Sequence, residues 1–155
     1  MMIRKSKEKD FKGMMRVAKS LHPKWFNEFA IRKSIPLDLK IHKGFIAEEK
    51  GKIIGFLTYT SREGTAELSW IGVDPKFHHK NIGKKLVESL EAELKKFGVE
   101  KLYVDTLSET EEYEPYEATR IFYKKVGFKF ENVRKVKDKG TGEEFDMATY
   151  IKKIH

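Results

Sequence analysis

The residues best suited to chemistry lie between positions 68 and 86. There a strand-like run ending at Val73 leads through a short loop, residues 74–80, into an amphipathic helix that begins near Asn81. The first turn of a helix leaves backbone N–H groups without partners and carries the positive end of the helix dipole, which suits an anionic group such as a pyrophosphate. Asn81 and Gly83 keep the side chains small at that point, so phosphates can approach the backbone. Lys80, Lys84 and Lys85 add positive charge, and His78 and His79 add hydrogen-bond donors. Many α/β proteins open a helix in this way, so the pattern alone indicates an anion site and no particular ligand.

Composition removes several other chemistries. The 155 residues include no cysteine, which excludes disulfides, cysteine-ligated zinc and thiol nucleophiles. The histidines at 22, 42, 78, 79 and 155 form no His-x3-His pair, so no metal site is expected. The net charge of +8 comes from 32 Lys and Arg against 24 Asp and Glu. Lys and Glu are mixed along the chain, as on the surfaces of heat-adapted proteins, which argues against a dedicated nucleic-acid face. The one concentrated basic stretch is residues 134–139. Mean hydropathy is -0.59, and no apolar run approaches the roughly 18 residues of a membrane span. Residues 1–10 are polar, without an apolar signal core, and a cytoplasmic protein is the expectation.

The elements that must position this segment follow from periodicity. Residues 2–5 read as a strand and 6–21 as a helix, with Phe11, Met14, Met15, Ala18 and Leu21 at helical spacing and Pro23 ending it. Trp25, Phe26, Phe29 and Ile31 suggest a second helix interrupted by Pro36. Strands are predicted at 45–49 and 53–60, joined by the turn Lys50-Gly51, and at 65–73, 101–107, 128–136 and 144–152. Helices are predicted at 81–97 and 117–126, each followed by glycine. No repeat or linker divides the chain, so residues 1–155 are expected to form one domain. The order predicts an α/β (α+β) fold: a mixed, mostly antiparallel sheet of six to seven strands with about four helices on both faces.

Val73-Asp74-Pro75, then His78-His79-Lys80-Asn81-Ile82-Gly83, resembles motif A of the GNAT family of N-acetyltransferases. The chain departs from it at His78, where Arg or Gln is usual, and at Asn81, where Gly is usual; Asn tolerates positive φ well. Residues 116–128, ending Phe122-Tyr123-Lys124-Lys125-Val126-Gly127-Phe128, are similar to the family's C-terminal helix. Ile53-Ile54-Gly55-Phe56 resembles the strand before its acceptor site. The resemblance implies an enzyme that uses acetyl-CoA to acetylate an amine by direct attack, without a covalent enzyme intermediate. It implies that the loop from His78 through His79, Lys80, Asn81 and Ile82 to Gly83, with Lys84, holds the pyrophosphate. The backbone of Ile71, Gly72 and Val73 would pair with the pantetheine arm, one N–H serving the developing oxyanion, and Tyr116 falls beside the cofactor.

Two catalytic residues follow from the same resemblance. Glu67, six residues before Val73, matches a family general base; the alternative is a solvated strand glutamate. Simple alternation sets Glu67 on one face with Ser69, Ile71 and Val73 unless a bulge near Gly72 breaks it. Tyr123 matches the proton donor to the departing thiolate, the alternative being a core-edge aromatic. Trp25, Phe26 and Phe29 fall where acceptors are lined in the family, or form an ordinary helix core. His22 and His42 flank that segment and are expected to be solvated. The acceptor is a small-molecule or protein amine that the sequence leaves open, and the family allows a homodimer paired through its C-terminal strands. Two other readings are a catalytically silent acyl-CoA sensor and a basic GNAT acting on an RNA-linked or ribosomal amine.

Overall fold

A computed structural model describes residues 1–155. In chain order the elements are β1 (Met2–Lys5), α1 (Phe11–Ser20), α2 (Ile35–Ile41), β2 (Lys43–Glu49), β3 (Lys52–Arg62), β4 (Thr65–Val73), α3 (Ile82–Lys96), β5 (Lys101–Leu107), α4 (Pro115–Lys125), β6 (Lys129–Lys137) and β7 (Glu144–Lys153). The strands form one seven-stranded sheet in the order β1-β2-β3-β4-β5-β7-β6. Only β4 and β5 run parallel. The β2–β3 hairpin turns through Lys50 and Gly51, both with positive φ, at 51° and 78°, which glycine adopts without steric cost. The mixed, mostly antiparallel sheet with helices on both faces is the architecture the element order predicts.

Each face of the sheet has its own core. On one, Leu86, Val87, Leu90 and Leu94 of α3 pack with Leu57, Leu68, Leu102, Val104 and Tyr123. On the other, Met14, Val17 and Ala18 of α1 pack with Ile35, Leu39, Ile46 and Phe56. A leucine such as Leu90, fully buried, contributes roughly 2 kcal/mol of apolar burial. The predicted helix on Trp25, Phe26, Phe29 and Ile31 is not formed as such: residues 21–26 turn back on themselves, and helical structure resumes only at residue 28. Pro36 does not end the helical run: a π-helical segment, Ala30–Ser34, leads directly into the first turn of α2, where Pro36 sits.

Two irregularities on β4 position the site. Its ladder with β5 covers only Thr65–Leu68 against Lys101–Val104. Beyond those pairs β4 continues along β3 while β5 continues along β7, so the sheet opens into a wedge. Second, Thr58 pairs with Trp70 and Tyr59 with Leu68, which leaves Ser69 as the extra residue of a β-bulge. The bulge lies three positions before Gly72, the place expected from sequence, and it reverses side-chain parity. Ala66 and Leu68 face α3 before it, whereas Ile71 and Val73 do so after it. Glu67 therefore shares the α1 face with Trp70, opposite to Ile71 and Val73.

Gly72 is required where it stands, because an added Cβ would lie 2.7 Å from Leu21 Cδ1 and 3.0 Å from Phe56 Cε1 in the second core. Gly72→Ala is expected to lower unfolding free energy by about 1–3 kcal/mol in a urea titration, with an unchanged denaturant slope.

Candidate active site

The open wedge presents backbone. Asp74 N–H donates to Ile54 C=O at 2.9 Å, so the residues bonded to β3 are Asp74, Gly72 and Trp70. Antiparallel alternation then turns the amide groups of Ile71 and Val73 away from β3, into the gap left by β5. Gly72 directs its own amide to Phe56 and offers nothing to the gap.

The loop after β4 is held by its own side chains. Asp74 Oδ1 accepts from Lys76 N–H at 3.0 Å. His78 Nε2 lies 2.7 Å from Val73 O; a carbonyl only accepts, so the Nε2 proton is donated to it. His78 thus clamps the loop to the strand end and spends one donor doing so. His79 and Asn81 have φ of 64° and 62°, and the left-handed Asn81 delivers the chain into α3. The first ladder bond of α3 runs from Lys85 N–H to Asn81 C=O at 3.1 Å, while the amides of residues 79–84 donate to no other backbone group. Lys80 Nζ lies over the Phe77 ring, and Lys84 is exposed. Gly83 has a packing reason: an added Cβ would meet Phe122 Cζ of α4 at 3.0 Å. Closeness of α3 to α4 thus favours glycine here independently of any phosphate.

A segment that sequence reasoning placed in a helix bridges the cleft instead. Tyr113 Oη donates to Lys24 C=O at 2.5 Å, Tyr116 Oη donates to Trp25 C=O, and Trp25 Nε1 donates to Pro115 C=O at 3.3 Å. Trp25 meets the His78 ring edge-on at 5.4 Å, and Phe26 meets Trp70 at 5.5 Å. Asn27 Nδ2 reaches Asp138 at the β6–β7 turn, and Phe29 lies against Gly140. Residues 24–29 form an arch from the start of α4 to the β6–β7 turn. Tyr116, expected beside the cofactor, has its hydroxyl committed to this arch, and burial pushes its pKa up to about 12.

The two candidate catalytic residues sit on opposite faces. Glu67 keeps open surface, yet partial burial of its carboxylate and then the like charge of Asp105 raise its pKa, while Arg134 and His42 pull it down. His42 is half-buried rather than solvated, with Nδ1 3.5 Å from Thr58 Oγ1 and Nε2 3.8 Å from Asp38. His22 keeps a more open position beside Glu28. Trp70 Nε1 donates to Asp38 Oδ2 at 2.8 Å. Tyr123 lies in the α3–α4 core, edge-on to Phe128, where burial drives its pKa well above that of an ordinary tyrosine. Two further groups escaped sequence reasoning. Thr106, 5% exposed, carries the one fully enclosed side-chain polar atom without a partner. Arg120, 8% exposed, has no carboxylate partner and donates to Leu107 C=O at 2.9 Å. Both belong to the part of β5 and α4 that borders the wedge. An extended, amide-bearing arm would find unpaired groups in Ile71, Val73 and Thr106, and a pyrophosphate would find the free amides of residues 79–84, so the residues present fit coenzyme A.

Comparison with known proteins agrees with this arrangement. The family model described as acetyltransferase (GNAT) domain matches residues 40–130. The chain belongs to the GNAT family of acetyltransferases. Among solved structures, a GNAT-family protein from Desulfovibrio desulfuricans superposes with a TM-score of 0.79 at 23% identity, over 99% of each chain. The ribosomal-protein-S18-alanine N-acetyltransferase of Escherichia coli gives 0.75 at 22%, covering 99% of this chain and 94% of that one. An aminoglycoside 6′-N-acetyltransferase complexed with coenzyme A gives 0.75 at 18%, covering 100% and 98%. No curated protein matches by sequence. No helix is long and apolar enough to cross a membrane.

Removing the Tyr116 hydroxyl should loosen the arch without disturbing the cores. Tyr116→Phe is expected to cost about 1 kcal/mol and to speed hydrogen exchange at the amides of residues 24–29, leaving the middle of α3 as protected as before.

Proposed function

We propose that this chain transfers an acetyl group from acetyl-CoA to a primary amine within a ternary complex. The observation that carries the reading is the wedge between β4 and β5, lined by the unpaired backbone of Ile71 and the unpaired N–H of Val73 and leading to the free amides that open α3. When bound, acetyl-CoA supplies a thioester-activated acetyl group. The chain's part is to hold that arm as an added strand, to receive the amine's proton, and to return a proton on the far side. Glu67 is the acceptor of the amine proton, directly or through a water, as the amine nitrogen bonds to the acyl carbon. Tyr123 is the donor to the sulfur as the carbon–sulfur bond breaks; a phenol carries its proton at neutral pH, and burial keeps it there. Lys80 and Lys84 supply positive charge to the phosphates. Trp25 and Phe26 are proposed as the acceptor's apolar wall, with Phe29 at the hairpin end.

Cofactor use is tested by thermal denaturation with acetyl-CoA beside ATP and NAD. At about 100 times its dissociation constant acetyl-CoA should add roughly 2.7 kcal/mol of stability, equivalent to several degrees, while the controls leave the transition in place. No shift with acetyl-CoA would sink the proposal.

Catalysis is tested by free-thiol release across an amine panel. Glu67→Gln is expected to lower kcat by about 10²–10⁴-fold, with Tyr123→Phe also impaired. Since Glu67 must be ionised to accept a proton and its pKa is raised, kcat/KM should fall as pH drops through a midpoint above the ordinary glutamate value. Cofactor binding without turnover on any amine would favour the sensor reading, to which His78, engaged with Val73, lends support.

A further inference from the structure

The helices α1 and α2 cover β2, β3 and β4 on their face of the sheet and leave β5, β7 and β6 bare. The Ser69 bulge turns Glu67 toward that open side. Across the parallel pair its direct neighbour is Tyr103, and two residues further along β5, on the same face, lies Asp105. In the β5–β7 register Asp105 stands opposite Thr149, whose Oγ1 donates to Asp105 Oδ1 at 2.6 Å. Arg134, on the edge strand β6, reaches over β7: its Nη2 donates to Asp105 Oδ2 at 2.7 Å, and its Nη1 donates to Thr149 Oγ1 at 2.7 Å and to Asp105 Oδ1 at 3.3 Å.

Both oxygens of Asp105 are therefore occupied by donors from two other strands. Glu67, a neighbouring carboxylate on the same face, has no salt-bridge partner within 4.0 Å, and Arg4, His22, Arg32 and His42 make their ion pairs elsewhere. Two carboxyl groups in such unequal surroundings divide their roles: the saturated one stays ionised and the free one takes the proton. The hydrogen bonds of Arg134 and Thr149 hold Asp105 below the usual carboxylate range, whereas Glu67 is displaced upward.

We propose that Arg134 and Asp105 are positioning residues for Glu67: Arg134, reaching across β7, pins Asp105 as a permanent anion beside Glu67, so that Glu67 is the carboxyl of the pair that takes up and releases the acceptor's proton. The proposal rests on Glu67 being the base. The charged groups that face Glu67 are Asp105 from β5, Arg134 from β6 and His42 from the end of α2, with Tyr103 directly across. Asp38 stands behind His42. The two members of the pair act on Glu67 with opposite sign.

The test is a carbon-detected NMR titration of the Glu67 side-chain carboxyl in the full chain, which needs neither cofactor nor acceptor. Arg134→Gln should raise the Glu67 midpoint, and Asp105→Asn should lower it, each by roughly half a unit to one unit. Arg134→Lys, which keeps the charge and gives up the fork, should stay close to the parent and serves if the glutamine variant folds poorly. Midpoints that do not move, or that move in the same direction in both variants, overturn the proposal. Opposite shifts accompanied by undiminished turnover in Glu67→Gln would leave the electrostatic coupling standing and overturn the assignment of Glu67 as base.

Discussion

Two parallel strands that hydrogen-bond at their beginnings and then part company govern the rest of this molecule. Neither strand is orphaned by the parting, since β4 keeps β3 and β5 keeps β7. What is lost is the ladder between them, and a backbone N–H or C=O left without a partner inside a protein costs on the order of 1–3 kcal/mol. Such a gap persists only if water or a bound group supplies the missing partners. A pantetheine arm is extended, slender and punctuated by amides, so it can complete the ladder as a short strand would. Helix α3 starts just beyond the open end, where its unpartnered amides continue the same row of donors, a geometry suited to an anion.

An opening between two half-sheets needs a restraint, and the arch supplies one from outside the sheet. Residues 24–29 belong by sequence to the α1 half, yet their carbonyls are gripped by tyrosines that precede or open α4. Each neutral hydrogen bond is worth only about 1 kcal/mol, so the aromatic contacts of Trp25 with His78 and of Phe26 with Trp70 matter as much. His78 joins the two devices, since its Nε2 holds the end of β4 while its ring packs against the arch. Groups that must act together within a fraction of an ångström are thereby tied to a common frame.

Much of this was legible in the chain. Strands β4 and β5 have the bounds read from their apolar pattern, and Asn81 adopts the left-handed conformation its residue type permits. What escaped reading depends on partners rather than on local sequence. A bulge is a property of the register between two strands, so its position at Ser69, and with it the face that Glu67 occupies, could not be seen in β4 alone. Trp25, Phe26 and Phe29 carry a helical spacing, but distant hydrogen bonds from Tyr113 and Tyr116 outweigh it. The bond from His78 Nε2 to a carbonyl five residues back depends on the loop's fold and has no mark in the sequence. The bond between Arg134 and Asp105 crosses three strands, and no short-range pattern marks it.

The sheet ends at β6, where every residue except Val136 is exposed and one row of N–H and C=O groups faces water. Such a border invites a strand from another molecule. Here it bears Lys129, Arg134, Lys135 and Lys137 with the single acid Glu131, on a chain whose net charge is already +8. Two copies meeting edge to edge would press like charges together. Arg134 and Lys135 are each paired with a carboxylate, so Lys129 and Lys137 are the cations of that border without an ion pair, and the repulsion they exert has an electrolyte dependence that a capped edge would lack. As ionic strength shrinks the Debye length to about 8 Å near 0.15 M, that repulsion fades, and colloidal behaviour becomes a function of salt more than of folding.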